Sequence, residues 1–387
     1  MKILMIAPEP FFEPRGTPFS EYSRIKALGE LGHEIDLVTY PIGENRILPG
    51  LTIYRCWRIP FVRKVRTGPS AAKLLLDISL LFRALGRLSR RKYDLIHTHE
   101  EACIMGVLCS RLARTPHLYD MHSSLVQQMD NFQFTRLRPV LWFFRMMERI
   151  SLRQSSSVIV ICRALHDYAA GITSDSKLTT IENFLDDQPE TLDIEKLERI
   201  RREVRPPGRK IVLYTGTLEA YQGIPLLLES MTLLGDGFHL VLVGGKKDQV
   251  DQISGRLEGM GLKGKVAVLG EKSPEDIPYY LRCADVLVSP RIRGTNIPLK
   301  IYSYLRSGVP VVATDLYTHT QSLSADIAVL AEPEPGPFAD AIRRAVGPDG
   351  KIAAENALEH ARRHFDRETY LDLVKTAIKK AVPGKNP

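Results

Sequence analysis

The sequence reads as an α/β protein of two doubly wound, parallel-sheet domains, and three observations carry that reading. Its 387 residues exceed the usual size of one domain. Short runs rich in Ile, Leu and Val alternate with amphipathic stretches, the pattern of parallel strands covered by helices on both faces. The alternation stops in a polar, charged stretch ending Arg205-Pro-Pro-Gly-Arg209, and then restarts.

Taken in order, strands are expected at 2–7, 34–40, 94–98, 116–121 and 157–162, with helices at 18–31, 71–89 and 101–113. These make residues 1–183 an N-terminal domain, and 184–208 reads as a linker. Strands at 210–215, 239–243, 265–269, 285–289 and 310–313 follow, separated by helices at 224–234, 248–260, 274–283 and 298–307. Residues 209–365 are therefore a C-terminal domain, with helical patterns at 336–346 and 350–364 closing it. Residues 366–387 hold a last helix, at 367–381, and a tail. Two such domains are expected to face a cleft, each offering the carboxyl ends of its strands, where open sheets bind ligands.

Composition narrows the function classes. With 44% apolar and 25% charged residues the chain is ordinary globular material, not disordered. No apolar run is long enough to span a bilayer, and the opening run that stops at Pro8 is too short for a signal peptide. The five cysteines include no C-x-x-C, which fits buried thiols in a reducing compartment and argues against a disulfide frame or zinc site. Charge is uneven: residues 1–180 carry 25 basic and 16 acidic side chains, the remainder 28 and 29. Residues 55–92 hold 11 basic side chains and one acid, Asp77. Such an excess suits an anionic partner.

The strand-end loops are the informative places. After the first strand comes Pro8-Glu-Pro-Phe-Phe-Glu-Pro-Arg15-Gly16-Thr17, which is not G-x-G-x-x-G, though Gly16 and Thr17 at a helix start suit an anion. In the second half, Gly216-Thr217, Gly244-Gly245 and the basic turn Arg291-Ile-Arg293-Gly294 follow three strands, and Gly223 opens a helix. Together they favour a phosphate-bearing ligand. A D-x-D pair, a Walker A loop, G-x-S-x-G and H-E-x-x-H are all absent, so a kinase, hydrolase or metalloprotease has no footing and no metal is expected.

Gly216-x6-Gly223, Leu242-Val-Gly-Gly245, Ala284-Asp-Val-Leu-Val-Ser-Pro290 and Pro298-Leu-Lys-Ile-Tyr-Ser-Tyr-Leu-Arg-Ser-Gly-Val-Pro-Val-Val312 resemble the donor-binding half of glycosyltransferase family 4. In the first half Leu31-Gly-His-Glu-Ile35, Asp94-Leu-Ile-His97-Thr-His99, Asp120-Met-His122 and Ile181-Glu-Asn183 are similar to the same family, so the likeness runs from Met1 to about Phe365. The resemblance implies the GT-B fold, two Rossmann-like domains, and metal-independent transfer of a hexose from a nucleotide sugar with retention at the anomeric carbon. It implies a UDP- or GDP-sugar as co-substrate and no cofactor. Four positions depart from the family pattern. The usual Arg and Lys on the diphosphate are here Thr217 and Gln222, and the two glutamates eight apart are Thr295 and Ser303.

By that resemblance Gly16, Thr17, Gly216, Thr217, Gln222, Gly244 and Lys272 line the donor, joined by Arg291, Arg293, Thr295, Asn296, Ile297, Pro298, Leu299, Lys300 and Ser303. Arg291, Arg293 and Lys300 would replace the missing cations, with Arg15 reaching over from the first domain. The helix opening near Pro298 would add its N–H groups, and Ser303 would take the ribose. His122, with Asp120, is implied at the reacting carbon. His97 and His99 are expected to face opposite sides of their strand, one of them structural.

The basic stretch and its aromatic neighbours point to the acceptor side. Leucines at 71–89 recur at helical spacing, a stripe that fits core packing, whereas Trp57 to Arg66 and Arg136 to Arg145 mix aromatic and basic residues as interfacial segments do. Arg58, Arg63, Lys64 and Arg66 are therefore expected on an anionic membrane, making the protein peripheral on the cytoplasmic face, with a lipid-linked or glycan acceptor. No nucleic-acid reader motif appears. A non-catalytic nucleotide-sugar-binding or partner protein and a sugar-nucleotide epimerase are the alternatives.

Overall fold

The computed structural model describes residues 1–13, 16–60, 62, 70–126, 137–182 and 192–384. It divides into two compact units, Met1–Phe184 with Arg367–Pro387, and Leu185–Asp366.

The first unit is built on seven parallel strands: β1 Lys2–Ala7, β2 Glu34–Thr39, β3 Leu51–Arg55, β4 Leu95–His99, β5 His117–Met121, β6 Ser157–Val160 and β7 Leu178–Thr180. Their order is β3-β2-β1-β4-β5-β6-β7, with β1 pairing both β2 and β4. The chain therefore winds one way from β1 and then the other, and the strand ends diverge between β1 and β4. The inner strands β1, β4 and β5 are buried along nearly their whole length because helices cover both faces, which is why they read as continuous apolar runs.

Six parallel strands make the second sheet: β8 Lys210–Thr215, β9 Phe238–Val243, β10 Val266–Val268, β11 Val286–Ser289, β12 Val311–Thr314 and β13 Val329–Ala331, in the order β10-β9-β8-β11-β12-β13. Its switch point lies between β8 and β11. The core joins Val212, Tyr214, Leu240, Leu242, Val286 and Val288 to helix residues such as Leu227, Met231, Phe338 and Ile342.

Five departures from the expected elements have physical causes. The unexpected strands β3, β7 and β13 all lie at sheet edges. They are short, and β3 and β13 are mostly half-exposed, so they lack the unbroken apolar run of a central strand. Residues 194–204, inside the expected linker, form the helix Ile194–Val204, which Asp193 caps by accepting from the Glu195 and Lys196 amides at 2.9 and 3.2 Å. Its charged sequence hides a narrow stripe, Ile200 and Val204, packed on the helix Ile277–Cys283. The interfacial candidate at 136–145 lies partly in another helix, Arg138–Gln154, whose inner face buries Glu148 and Leu152.

The stripe at 71–89 divides between core and surface. The helix Ala71–Leu88 starts at Ser70, whose hydroxyl accepts from the Lys73 amide at 3.2 Å. Leu76, Leu80 and Ala84 enter the core, but Leu74, Leu75, Ile78 and Phe82 are 64, 51, 49 and 56% exposed. Trp57, Leu137, Trp142 and Phe143 are also exposed, as is Arg58. Arg63, Lys64, Arg66 and Arg136 lie outside the described residues, as do Arg15 and Asn183. No helix among the described residues is long and apolar enough to cross a membrane.

Candidate functional site

In the second unit the loops after β8, β9 and β10 meet through backbone groups. The Gly216 amide donates to Val243 O at 2.9 Å, and the Gly244 amide to Gly270 O at 2.7 Å. Glycine is required where the loops touch: a Cβ on Gly244 would lie 2.0 Å from Gly216 O, and one on Gly223 1.8 Å from Pro290 O, both at positive φ. Tyr304 fixes the end of β8, its hydroxyl accepting from the Thr215 amide at 2.8 Å.

Lys300 reaches into this junction. Its ammonium lies 3.7 Å from the centre of the Tyr214 ring and donates to Gln222 Oε1 at 3.4 Å. A Cβ on Gly216 would lie 3.2 Å from that Nζ, so the absent side chain makes room for the cation. Among the described residues no carboxylate pairs with Lys300. Burial, then the neighbouring Arg291 charge, holds the ammonium well below its usual pKa. Gln222, standing where the family pattern has a lysine, thus carries a lysine contributed by a later part of the chain.

Arg291 is used differently. Its Nε donates to Arg293 O at 2.7 Å and its Nη1 to Asn296 O at 3.0 Å, while the guanidinium lies 5.2 Å from the Tyr221 ring centre. It clamps its own loop. The Arg293 side chain is exposed, and Lys272 lies 3.8 Å from Glu203. Gln321 holds Thr295 by donating to its carbonyl at 2.6 Å. Ile297 and Pro298 are buried, and the helix after them, Lys300–Leu305, has only six residues. So short a helix has a weak dipole, and the basic groups here are the Lys300 and Arg291 side chains. Thr217 is buried less than Gln222, and Ser303 is half-buried three residues past Lys300.

The first unit gathers a second set. His97 and His99 lie two apart on β4, so the period of a strand puts them on one face, not opposite ones, and their rings stack with centroids 4.7 Å apart. His99 Nδ1 lies 3.0 Å from His122 Nε2, which is 3.4 Å from Asp120 Oδ1. Arg24, on the helix Gly16–Glu30, donates from Nε to Asp120 Oδ2 at 2.8 Å. All are buried. Burial alone would raise the Asp120 carboxyl, but Arg24 and then His122 reverse this and hold it well below the usual carboxylate range. Burial lowers His122 to about 4, against the pull of Asp120. His97, His99 and Asp120 are close enough together to hold a metal ion, but the Asp120 oxygen nearest both rings already accepts from Arg24. Thr17 is spent in this unit, donating to Glu100 Oε1 at 3.4 Å. Arg24 and its partner Tyr370 were not legible as site residues, since nothing local in sequence marks either.

Residues 195–363 match the family described as glycosyl transferases group 1, and residues 23–183 the glycosyl transferase 4-like domain. An uncharacterised glycosyltransferase of Methanocaldococcus jannaschii is 24% identical over 330 residues, 82% of this chain and 81% of its own. Phosphatidyl-myo-inositol mannosyltransferase of Mycobacterium leprae is 24% identical over 334 residues, 82% of this chain and 79% of its own. In fold the chain is similar to HepE of Anabaena, crystallised in complex with UDP, at a TM-score of 0.77 and 17% identity over 98% of this chain and 100% of that one. Sucrose-phosphate synthase from Thermosynechococcus elongatus gives a TM-score of 0.78 at 18% identity, covering 98% of each chain. With both halves matched and the two parallel-sheet units in place, the chain belongs to the family 4 type of glycosyltransferases and has the GT-B fold.

Proposed function

We propose that the protein is a retaining, metal-independent hexosyltransferase that moves sugar from a UDP- or GDP-sugar to a lipid-linked or glycan acceptor at the cytoplasmic face of a membrane. The observation that carries the donor side is Lys300, a lysine with no carboxylate partner among the described residues, placed where the glycine loops meet. Breaking a glycosyl–diphosphate bond leaves negative charge on phosphate, and a preplaced ammonium in a partly desolvated site stabilises it. UDP in HepE and the lipid named in the mycobacterial mannosyltransferase support the choice of donor and acceptor classes. In this reading His122 lies at the sugar, and the departing phosphate takes the acceptor proton, so no strong protein base is needed. Incubation with UDP- and GDP-sugars, with and without membrane lipid, tests it. Sugar transferred with retained configuration in the presence of EDTA supports the reading. Binding without turnover would favour a non-catalytic binder, and acceptor-independent isomerisation an epimerase.

Ser303 gives a sharper check. If ribose is its partner, Ser303→Glu is expected to keep or tighten nucleotide binding in calorimetry. A collapse of binding with the fold intact would place another group there.

The membrane side rests on the exposed face Leu74, Leu75, Ile78 and Phe82, with Arg58 and Trp57 nearby in sequence. An apolar face bordered by basic residues suits an anionic interface, where each Lys or Arg contributes ~1 kcal/mol. Sedimentation with vesicles is expected to rise with anionic lipid and fall with salt. It should drop by roughly tenfold or more when Ile78 and Phe82, or Arg58, Arg63, Lys64 and Arg66, become serine. Equal pelleting with neutral and anionic vesicles would remove the membrane from the proposal.

A further inference from the structure

The last helix, Arg367–Ala381, belongs to the first unit, where it packs against β5, β6, β7 and the helix Gly16–Glu30. Much of its contribution is ordinary burial through Val374, Ala377 and Ile378. Tyr370 does something more specific. Its hydroxyl accepts from Arg24 Nη1 at 3.2 Å, and the Arg24 guanidinium lies 5.3 Å from its ring centre. The same guanidinium donates to Asp120 Oδ2 at 2.8 Å. The other Asp120 oxygen is 3.4 Å from His122 Nε2, which in turn is 3.0 Å from His99 Nδ1. Tyr370, Arg24, Asp120, His99 and His122 are at most 5% exposed.

A guanidinium is a rigid planar fork, so fixing one prong sets the direction of the others. Arg24 is held at two points, and the point away from Asp120 is Tyr370. We infer that Tyr370 is a positioning residue for His122: it sets the plane of Arg24, Arg24 sets the Asp120 carboxylate, and Asp120 with His99 sets the imidazole. The C-terminal helix is then part of the apparatus around His122, although 248 positions of sequence separate Tyr370 from that residue. This rests on the reading that His122 acts at the donor sugar, but its geometry can be tested without that reading.

Among the described residues, Asp120, Arg24, His97 and His99 face His122. Arg24 and His97 oppose protonation of the imidazole and Asp120 favours it. Loosening Arg24 from Asp120 therefore moves the His122 titration upward on both counts. The experiment is nitrogen-15 NMR of labelled histidine, with His122 assigned through His122→Gln, on full-length wild type, Tyr370→Phe and Arg24→Gln. Tyr370→Phe keeps the ring and its burial and is expected to raise the His122 midpoint by roughly half a pH unit, with a larger rise in Arg24→Gln. With a working donor and acceptor, Tyr370→Phe should lower kcat about tenfold and leave the donor KM within about twofold. Ile378→Ala, on the same helix but in its apolar contact, should lower the melting temperature and leave the midpoint in place. An unmoved His122 midpoint in Tyr370→Phe overturns the inference, whether or not its melting temperature falls. A moved midpoint in a protein that turns over no nucleotide sugar supports the inference and removes the transferase reading.

Discussion

Replacing Lys300 with methionine is expected to weaken UDP or GDP binding ~30-fold or more, about 2 kcal/mol, while melting temperature changes little. Methionine keeps most of the length and apolar contact with Tyr214, so the loss isolates the charge. The reason for so large an effect is the absence of a competitor. Arg291 has its guanidinium committed to Arg293 O and Asn296 O, and Lys272 lies beside Glu203, whereas Lys300 contacts a ring face and one neutral amide oxygen. A diphosphate arriving there meets a lysine with which no carboxylate among the described residues pairs. Arg291→Ala is expected to act through the shape of its loop instead, with a lower melting temperature accompanying the weaker binding. The pH dependence adds a second signature. Burial and Arg291 depress the free ammonium, and a bound diphosphate favours its charged form. Binding should therefore take up a proton, and affinity should fall as pH rises through a range in which a surface lysine would still be charged. Lys300→Arg, which stays protonated, should bind with a flat profile over the same range. Isothermal titration in buffers of different ionisation enthalpy measures this directly. Unchanged affinity in Lys300→Met would remove this junction as the diphosphate site.

What could be read from sequence follows from how far each feature depends on distant residues. Central strands such as β1 and β8 announce themselves because burial on both faces demands an unbroken apolar run. The edge strand β13, Val329–Ala331, has only three residues and one buried position, too little for any periodicity. The helix Ile194–Val204 reads as a linker in sequence because Ile200 and Val204 bury only a narrow stripe of a strongly charged segment. Glycines at 223 and 244 are legible because backbone contact excludes a Cβ there, and Gly216 because its φ of +129° disfavours one and Lys300 fills the space. Roles of side chains were less so. Arg291 and Lys300 are both basic residues near the same turn, and only the fold separates one clamping loop carbonyls from the other facing Gln222. The Arg24–Tyr370 contact joins residues 346 apart, with no local pattern to reveal it.

Gly244→Ala is expected to cost the second unit a large part of its stability. The residue has φ +121°, which an alanine adopts only at a cost of ~1–3 kcal/mol, and its new methyl would sit 2.0 Å from Gly216 O. That oxygen is backbone, so relief requires moving the loop after β8 or the loop after β9. The second is tied down by the Gly244 amide's bond to Gly270 O at 2.7 Å, and the first by the Gly216 amide's bond to Val243 O at 2.9 Å. Relaxing one contact strains the next, and a total of at least about 3 kcal/mol follows, or a melting temperature lower by about 6–12 °C for a unit of this size. Nucleotide binding should suffer with it, because the displaced loop is the one Lys300 packs against at Gly216. Gly235→Ala is the control, since its Cβ would meet nothing within 4 Å, and it should melt and bind like wild type. Differential scanning calorimetry with and without UDP reads both quantities. If Gly244→Ala melts like Gly235→Ala and binds UDP unchanged, close contact of the β8 and β9 loops is not what shapes the donor site.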